Sequence, residues 1–132
     1  MAQELRHYAG HTTCRSLFQG QPEQAHADAG PWLLHLDQGN SALVGYLDTL
    51  ERSGVPCMTL LISHKGYEYV FAHLQSMLDM RLADGSKALL RYYDPRVMKR
   101  LRHILSAEQF SVLLAPFAEW TTNQGRYSRN DH

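Results

Sequence analysis

The stretch "RYYDPRVMKR", Arg91 to Arg100, places two tyrosines, an acid, a proline and four cations in ten residues. Its centre is a helix start. An aspartate at a cap position accepts hydrogen bonds from the free amides of a first helical turn, and a proline just after it has a fixed φ and no donor to leave unsatisfied. Asp94-Pro95 therefore opens a helix. In that helix Val97, Met98, Leu101, Ile104 and Leu105 fall on one stripe, expected to be buried. Arg96, Lys99, Arg100 and His103 fall on a second, cationic stripe at i, i+3, i+4 and i+7. Upstream, the period of two along a strand sends Arg91 and Tyr93 to one face and Tyr92 to the other. The ten residues form a strand-to-helix corner with one cationic face.

Outward from this corner, "MRLADGSKALLRYY" sets Asp84-Gly85 between two apolar segments, a strong signal for a tight turn with positive φ, so a hairpin is expected over 79–93. "VPCMTLLIS" before it is a continuous apolar run of strand length. Ser63 at its end can cap a helix whose inner face is Val70, Leu74, Met77 and Leu78. Nearer the N-terminus, Leu43, Val44, Leu47 and Leu50 share a helical face with Gly54 as the stop, and "PWLLHLD" suits a strand buried on both faces. After the corner, Ser106 and Gln109 fit a reciprocal capping box, with Leu105 and Phe110 as its hydrophobic staple. Phe110, Leu113, Leu114 and Phe117 form the inner face of this last helix, Pro116 weakens its end, and Trp120 packs the chain back. "QGQPEQAHADAG" reads as a surface loop, and "TTNQGRYSRNDH" as a disordered tail from about 121. The expected fold class is α/β in the mixed α+β sense: a small mixed sheet of about four strands packed with about four helices.

The 132 residues suit one domain, 1–132. Lys plus Arg is 13 and Asp plus Glu is 13, so no global field draws the chain to nucleic acid or an anionic membrane. Any such attraction has to come from a local patch. The first ten residues lack the basic start and apolar run of a signal peptide, and no apolar stretch is long enough to span a bilayer, so a cytoplasmic protein is expected. The two cysteines, Cys14 and Cys57, are expected to be free thiols.

Three chemistries are open to these residues. His7, His11 and Cys14 stand at i, i+4 and i+7 with Cys57 as a further thiol, a metal-ligand spacing that eight histidines in the chain also produce by chance. No metal and no cofactor is expected. Cys57 inside its apolar run reads as a structural thiol, and no nucleophile elbow, phosphate-binding glycine loop or His-Glu-x-x-His is present, so no catalytic residue and no enzyme activity is expected. The cationic stripe, with Arg91, Arg102 and the tyrosines beside it, suits a solvated face, an acidic protein surface or phosphate.

The run "HLQSMLDMRLADGSKALLRYYDPRVMKRL", His73 to Leu101, resembles the signature region of the type VI secretion effector adaptor family, also described as effector chaperones. That family carries a His-Leu pair on a helix, an Asp-Gly hairpin and an Arg-aromatic-Tyr-Asp-Pro-Arg-Val corner, in the order and spacing found here. "CRSLFQG" (Cys14 to Gly20), "GPWLLHLD" (Gly30 to Asp37) and "FAEW" (Phe117 to Trp120) are also similar to family segments, so the resemblance runs roughly from Cys14 to Trp120. Against that pattern, this chain has a short lead before Cys14 and ends soon after Trp120 without the further lobe of many members.

The resemblance implies a single effector-adaptor domain in the bacterial cytoplasm. It would bind a type VI secretion effector, often by the effector's N-terminal region, and help load it onto the spike protein VgrG, with room for a co-chaperone and with no membrane partner. His73, Arg91, Tyr93, Asp94, Pro95 and Arg96 carry over as motif residues, with Leu74, Asp84 and Gly85 beside them, and Lys99 and Arg100 extend the corner's cationic face. Fold maintenance and direct partner contact are both open for the motif. The alternative function is a small nucleic-acid-binding module using helix face 96–103, disfavoured by the neutral overall charge.

Overall fold

A computed structural model describes residues 14–21, 30–36, 41–54, 58–81 and 84–129. Among these are seven strands and four helices: β1 (Cys14–Ser16), β2 (Trp32–Leu34), α1 (Ser41–Arg52), β3 (Leu60–Ser63), α2 (Tyr67–Ser76), β4 (Asp79–Arg81), β5 (Lys87–Leu89), α3 (Pro95–Ile104), α4 (Ala107–Leu114), β6 (Phe117–Thr122) and β7 (Gly125–Tyr127). The class is mixed α and β, as the sequence implied. The strands do not form one mixed sheet of about four. They form three small antiparallel sheets, β1-β2, β3-β6-β7 and β4-β5. The chain divides into two compact units, Met1–Gly45 and Tyr46–His132.

In the first unit β1 pairs with β2 in the register Cys14↔Leu34 and Ser16↔Trp32. The chain leaves β1 through a turn in which the Ser16 hydroxyl accepts from the Phe18 amide at 3.1 Å and the Leu17 amide donates to the Pro31 carbonyl at 2.9 Å. Leu17 and Phe18 are buried. The apolar "PWLL" run is only half-buried, so β2 is not covered on both faces as expected. Cys14 is a buried thiol in no disulfide, and burial raises its pKa.

The first helix follows its apolar period. Leu43 and Leu47 are buried, and the helix stops at Gly54, whose φ of +101° only a residue without a Cβ adopts readily. Asp48 and Arg52 pair at i, i+4 on its exposed side at 3.0 Å, and the Glu51 carboxylate accepts from the Met58 amide at 2.8 Å.

In the second unit β6 is the central strand, pairing with β3 (Leu61↔Trp120) on one side and β7 (Trp120↔Tyr127) on the other. One face of this sheet carries Trp120 and Tyr127 into the core, joined there by Val70, Phe71, Leu74, Leu78, Tyr92, Met98, Leu101, Leu105, Phe110, Leu113, Leu114 and Phe117. Leu60 and Ile62 on β3 alternate the other way and are exposed, so this apolar run is an edge strand and not a doubly buried one. A register shift follows at Ile62/Ser63. It turns the Ser63 hydroxyl to the Pro116 carbonyl, 2.6 Å away, where it also accepts from the Lys65 amide at 3.0 Å. Ser63 is therefore not the cap of α2. That position is Gly66, which offers no side-chain hydrogen bond.

The segment expected to be a disordered tail from about 121 is the end of β6 and the whole of β7. Its polar "TTNQG" is a hairpin turn: the Thr122 hydroxyl accepts from the Gln124 amide at 3.0 Å, and Glu119 pairs with Arg126 across the strands. Tyr127 then enters the core edge-on to Phe110, at 6.4 Å and 82°, with the Arg102 guanidinium 5.8 Å from its ring centre. The polar composition marked a turn, and one buried aromatic beyond it holds the hairpin.

Candidate partner-binding face

The Asp84-Gly85 turn forms as its sequence requires. Gly85 has φ +88°, and the Asp84 carboxylate accepts from both the amide and the hydroxyl of Ser86, which lowers its pKa. The strands it joins are shorter than the expected hairpin over 79–93. β5 ends at Leu89, because the Leu90 amide turns to the Leu78 carbonyl at 2.5 Å and the Asp94 amide closes a turn on the Arg91 carbonyl at 3.1 Å. Arg91, Tyr92 and Tyr93 thus lie in a turn and not on a strand. Their burial still alternates: Arg91 is exposed, Tyr92 buried and Tyr93 half-buried.

Tyr92 anchors the corner. Its hydroxyl donates to the Leu74 carbonyl of α2 at 2.5 Å, and its ring meets Trp120 edge-on at 5.7 Å and Tyr93 at 5.7 Å. Burial drives its pKa far up, so the hydroxyl stays a proton donor. One residue earlier on α2, the His73 ring Nε2 lies 2.9 Å from the Leu113 carbonyl near the end of α4, and the ring is edge-on to Phe117 at 5.9 Å. An imidazole N–H at that position donates to one of the carbonyls a helix end leaves open. The His73-Leu74 pair and the tyrosine of the corner therefore tie α2 to α4 and to the corner.

Asp94 caps α3 as expected. One carboxylate oxygen accepts from the Arg96 amide at 2.9 Å and from Arg96 Nε at 3.1 Å, and the other accepts from the Arg96 guanidinium at 3.0 Å. These bonds from Arg96, with the charge of Arg91 nearby, hold the Asp94 carboxyl below the usual carboxylate range, and the same contact raises the pKa of Arg96. Pro95 occupies the first helical position and is buried. Of the motif residues, Asp94 and Pro95 build the helix start, and Arg96 spends much of its charge on its own cap.

What remains on the outside of α3 is Lys99, Arg100 and His103, all exposed, and none has a carboxylate within ion-pair distance among the described residues. Met98, Leu101 and Leu105 form the buried stripe, with Val97 half-buried. Ile104 departs from the expectation that it belongs there: it is 65% exposed. At about 100° per residue it sits beside Arg100 on the helix, roughly 120° from Met98, and the chain turns out of the helix at Leu105, which takes the buried place. The helical period places Ile104 close in angle to the half-buried Val97, at the margin of the stripe, where spacing alone does not decide which side chain is covered.

His7, His11 and Cys57 lie outside the described residues, and no group of three or more metal-ligating side chains occurs among the described ones. No helix of the described residues is long and apolar enough to cross a membrane.

A protein-family model described as a domain of unknown function (DUF4123) matches residues 1–111. The chain belongs to this family. The match takes in the His73-Leu74 pair, the Asp84-Gly85 turn, the Asp94-Pro95 corner and all of α3, and it stops within α4, before the β6-β7 hairpin. No curated protein and no solved structure matches the chain. In this member of the DUF4123 family, the motif residues His73, Leu74, Asp94 and Pro95 are occupied in building the fold together with Tyr92, on whose ring the motif tyrosine Tyr93 packs edge-on, and the cationic side of α3 is what the corner presents outward.

Proposed function

We propose that this DUF4123 member is a non-enzymatic adaptor that binds a type VI secretion effector in the bacterial cytoplasm and helps load it onto the spike protein VgrG. The observation that carries this reading is the family match over residues 1–111, joined to the near-complete effector-adaptor signature from His73 to Leu101. The chemistry of the corner agrees with a binding role. The Cys14 thiol is buried with a raised pKa, so it is not presented as a nucleophile, and the Nε2 of His73, the histidine of the signature, is engaged with a backbone carbonyl. The exposed side chains of α3 are suited to recognising another protein by charge.

The test is affinity purification of the tagged protein from its own bacterium at moderate salt, with the bound proteins and any nucleic acid identified. A large secretion effector or the spike in stoichiometric amount is the expected result. Nucleic acid alone, released steeply by salt, would replace this reading with phosphate binding by face 96–103.

A further inference from the structure

Two groups of exposed side chains on the described surface are candidates for binding. One is the outward face of the edge strand β3, with Leu60 42% and Ile62 53% exposed. The other is the outward face of α3, where the exposed Lys99, Arg100 and His103 lie to one side of the 65% exposed Ile104. The β3 face says nothing about its occupant. The α3 face does, because its charge has a sign.

We infer that the outward face of α3, formed by Lys99, Arg100, His103 and Ile104, is the docking surface of this protein, and that it takes an acidic segment of the effector carrying an apolar side chain that packs on Ile104. The inference rests on the adaptor reading and names the partner chemistry. Three features support a protein segment over a nucleic acid. Arg96, at the head of the stripe, is held to Asp94 and presents a partly neutralised charge. Arg100 and Ile104 are neighbours at i, i+4, so an exposed apolar side chain borders the cationic side, where a phosphate backbone has no use for it. The molecule has no net charge, and thus no long-range field to collect a polyanion. Acidic residues with an apolar anchor beside them satisfy both parts of the face: Lys99 and Arg100 gain partners that the described residues do not supply, and Ile104 loses its contact with water.

The helix beneath the face is capped at Asp94, its start is fixed by Pro95, and its inner side is held by Met98, Leu101 and Leu105. A partner therefore meets a backbone already formed, and the ordering costs are those of the exposed side chains and of the partner.

The experiment places a photo-crosslinking amino acid at position 104 of the full chain, and in a second variant at position 62, in the native bacterium. Adducts are isolated and the crosslinked segment is sequenced. The expected result is an adduct from position 104 on an effector segment rich in Asp and Glu. Lys99→Glu with Arg100→Glu should lower the yield by about tenfold, since reversing such charges acts on encounter and affinity. The melting temperature should barely move, because the substituted side chains are exposed. Restoring the yield by changing the captured acidic residues to lysine would establish the pairing.

An adduct on a neutral or basic segment, an adduct on nucleic acid, or an unchanged yield in the double variant overturns the inference. If an effector co-purifies but crosslinks through position 62, the adaptor reading stands and the α3 face is wrong. If no effector co-purifies at all, the adaptor reading fails, and the assignment of this face fails with it.

Discussion

Asp94 illustrates how a single side chain can hold a local structure and set its pH dependence. Its carboxylate caps α3 and receives both the amide and the guanidinium of Arg96. Removing the cap with Asp94→Ala should cost about 1 kcal/mol, measured as a shift in the urea midpoint. Its folded pKa is depressed, so the ionic part of the stabilisation is present above the unfolded value near 4 and is lost as pH falls through the folded value. Asp94→Asn keeps the cap but not the charge. The stability difference between this variant and the parent should be largest at pH 7 and shrink towards pH 3, and equal differences at both would show that the charge is irrelevant. At His73, replacement by Ala removes the bond to the Leu113 carbonyl and should cost about 1 to 2 kcal/mol, with α2 and α4 losing amide protection together. The cap was legible because Asp-Pro states its own geometry. The histidine's role was not, because its partner lies forty residues away along the chain.

Among the elements, α1, α3 and α4 and the Asp84-Gly85 turn follow from local signals: an apolar period, a stop glycine, an Asp-Pro start, a capping box and a positive φ. The capping box of α4 forms as read, with Ser106 and Gln109 exchanging hydrogen bonds at 2.9 and 3.1 Å. Gly85→Ala should destabilise the β4-β5 hairpin by about 1 to 2 kcal/mol, because a Cβ is disfavoured at φ +88°. Circular dichroism melts and protection of the Lys87–Leu89 amides would register it. The strands were read less well. β3 is an edge strand with two exposed apolar side chains, and β7 emerged from a polar tail, because strand identity depends on a neighbour that the local sequence does not name. Trp120, buried between Phe117 and Tyr92, joins this hairpin to the corner. Trp120→Ala should cost roughly 3 to 5 kcal/mol, enough to unfold much of the population of a marginally stable unit. A chain that keeps its cooperative transition after this change would remove the hairpin from the core.

For the whole molecule, the balance of 13 basic and 13 acidic side chains conceals a local asymmetry on α3. With no net field, association through this face should depend on salt only weakly compared with a nucleic-acid binder. Raising salt from 50 to 200 mM should weaken effector binding by less than the roughly 10³-fold loss expected of a protein that neutralises six or more phosphates. A titration of affinity against salt, on the complex purified from the native bacterium, separates the two.

The sequence by itself determined the helices, the turn, the capped corner, the family resemblance and the placing of Lys99, Arg100 and His103 on one side of α3, because each rests on spacing along the chain or on the backbone preferences of single residues. Only the tertiary structure decided that His73 and Tyr92 place their polar atoms on the carbonyls of Leu113 and Leu74, that "TTNQG" turns a hairpin held by Tyr127, and that Ile104 stands in water beside Arg100. Those outcomes depend on which surfaces meet in space, and burial is a property of that meeting.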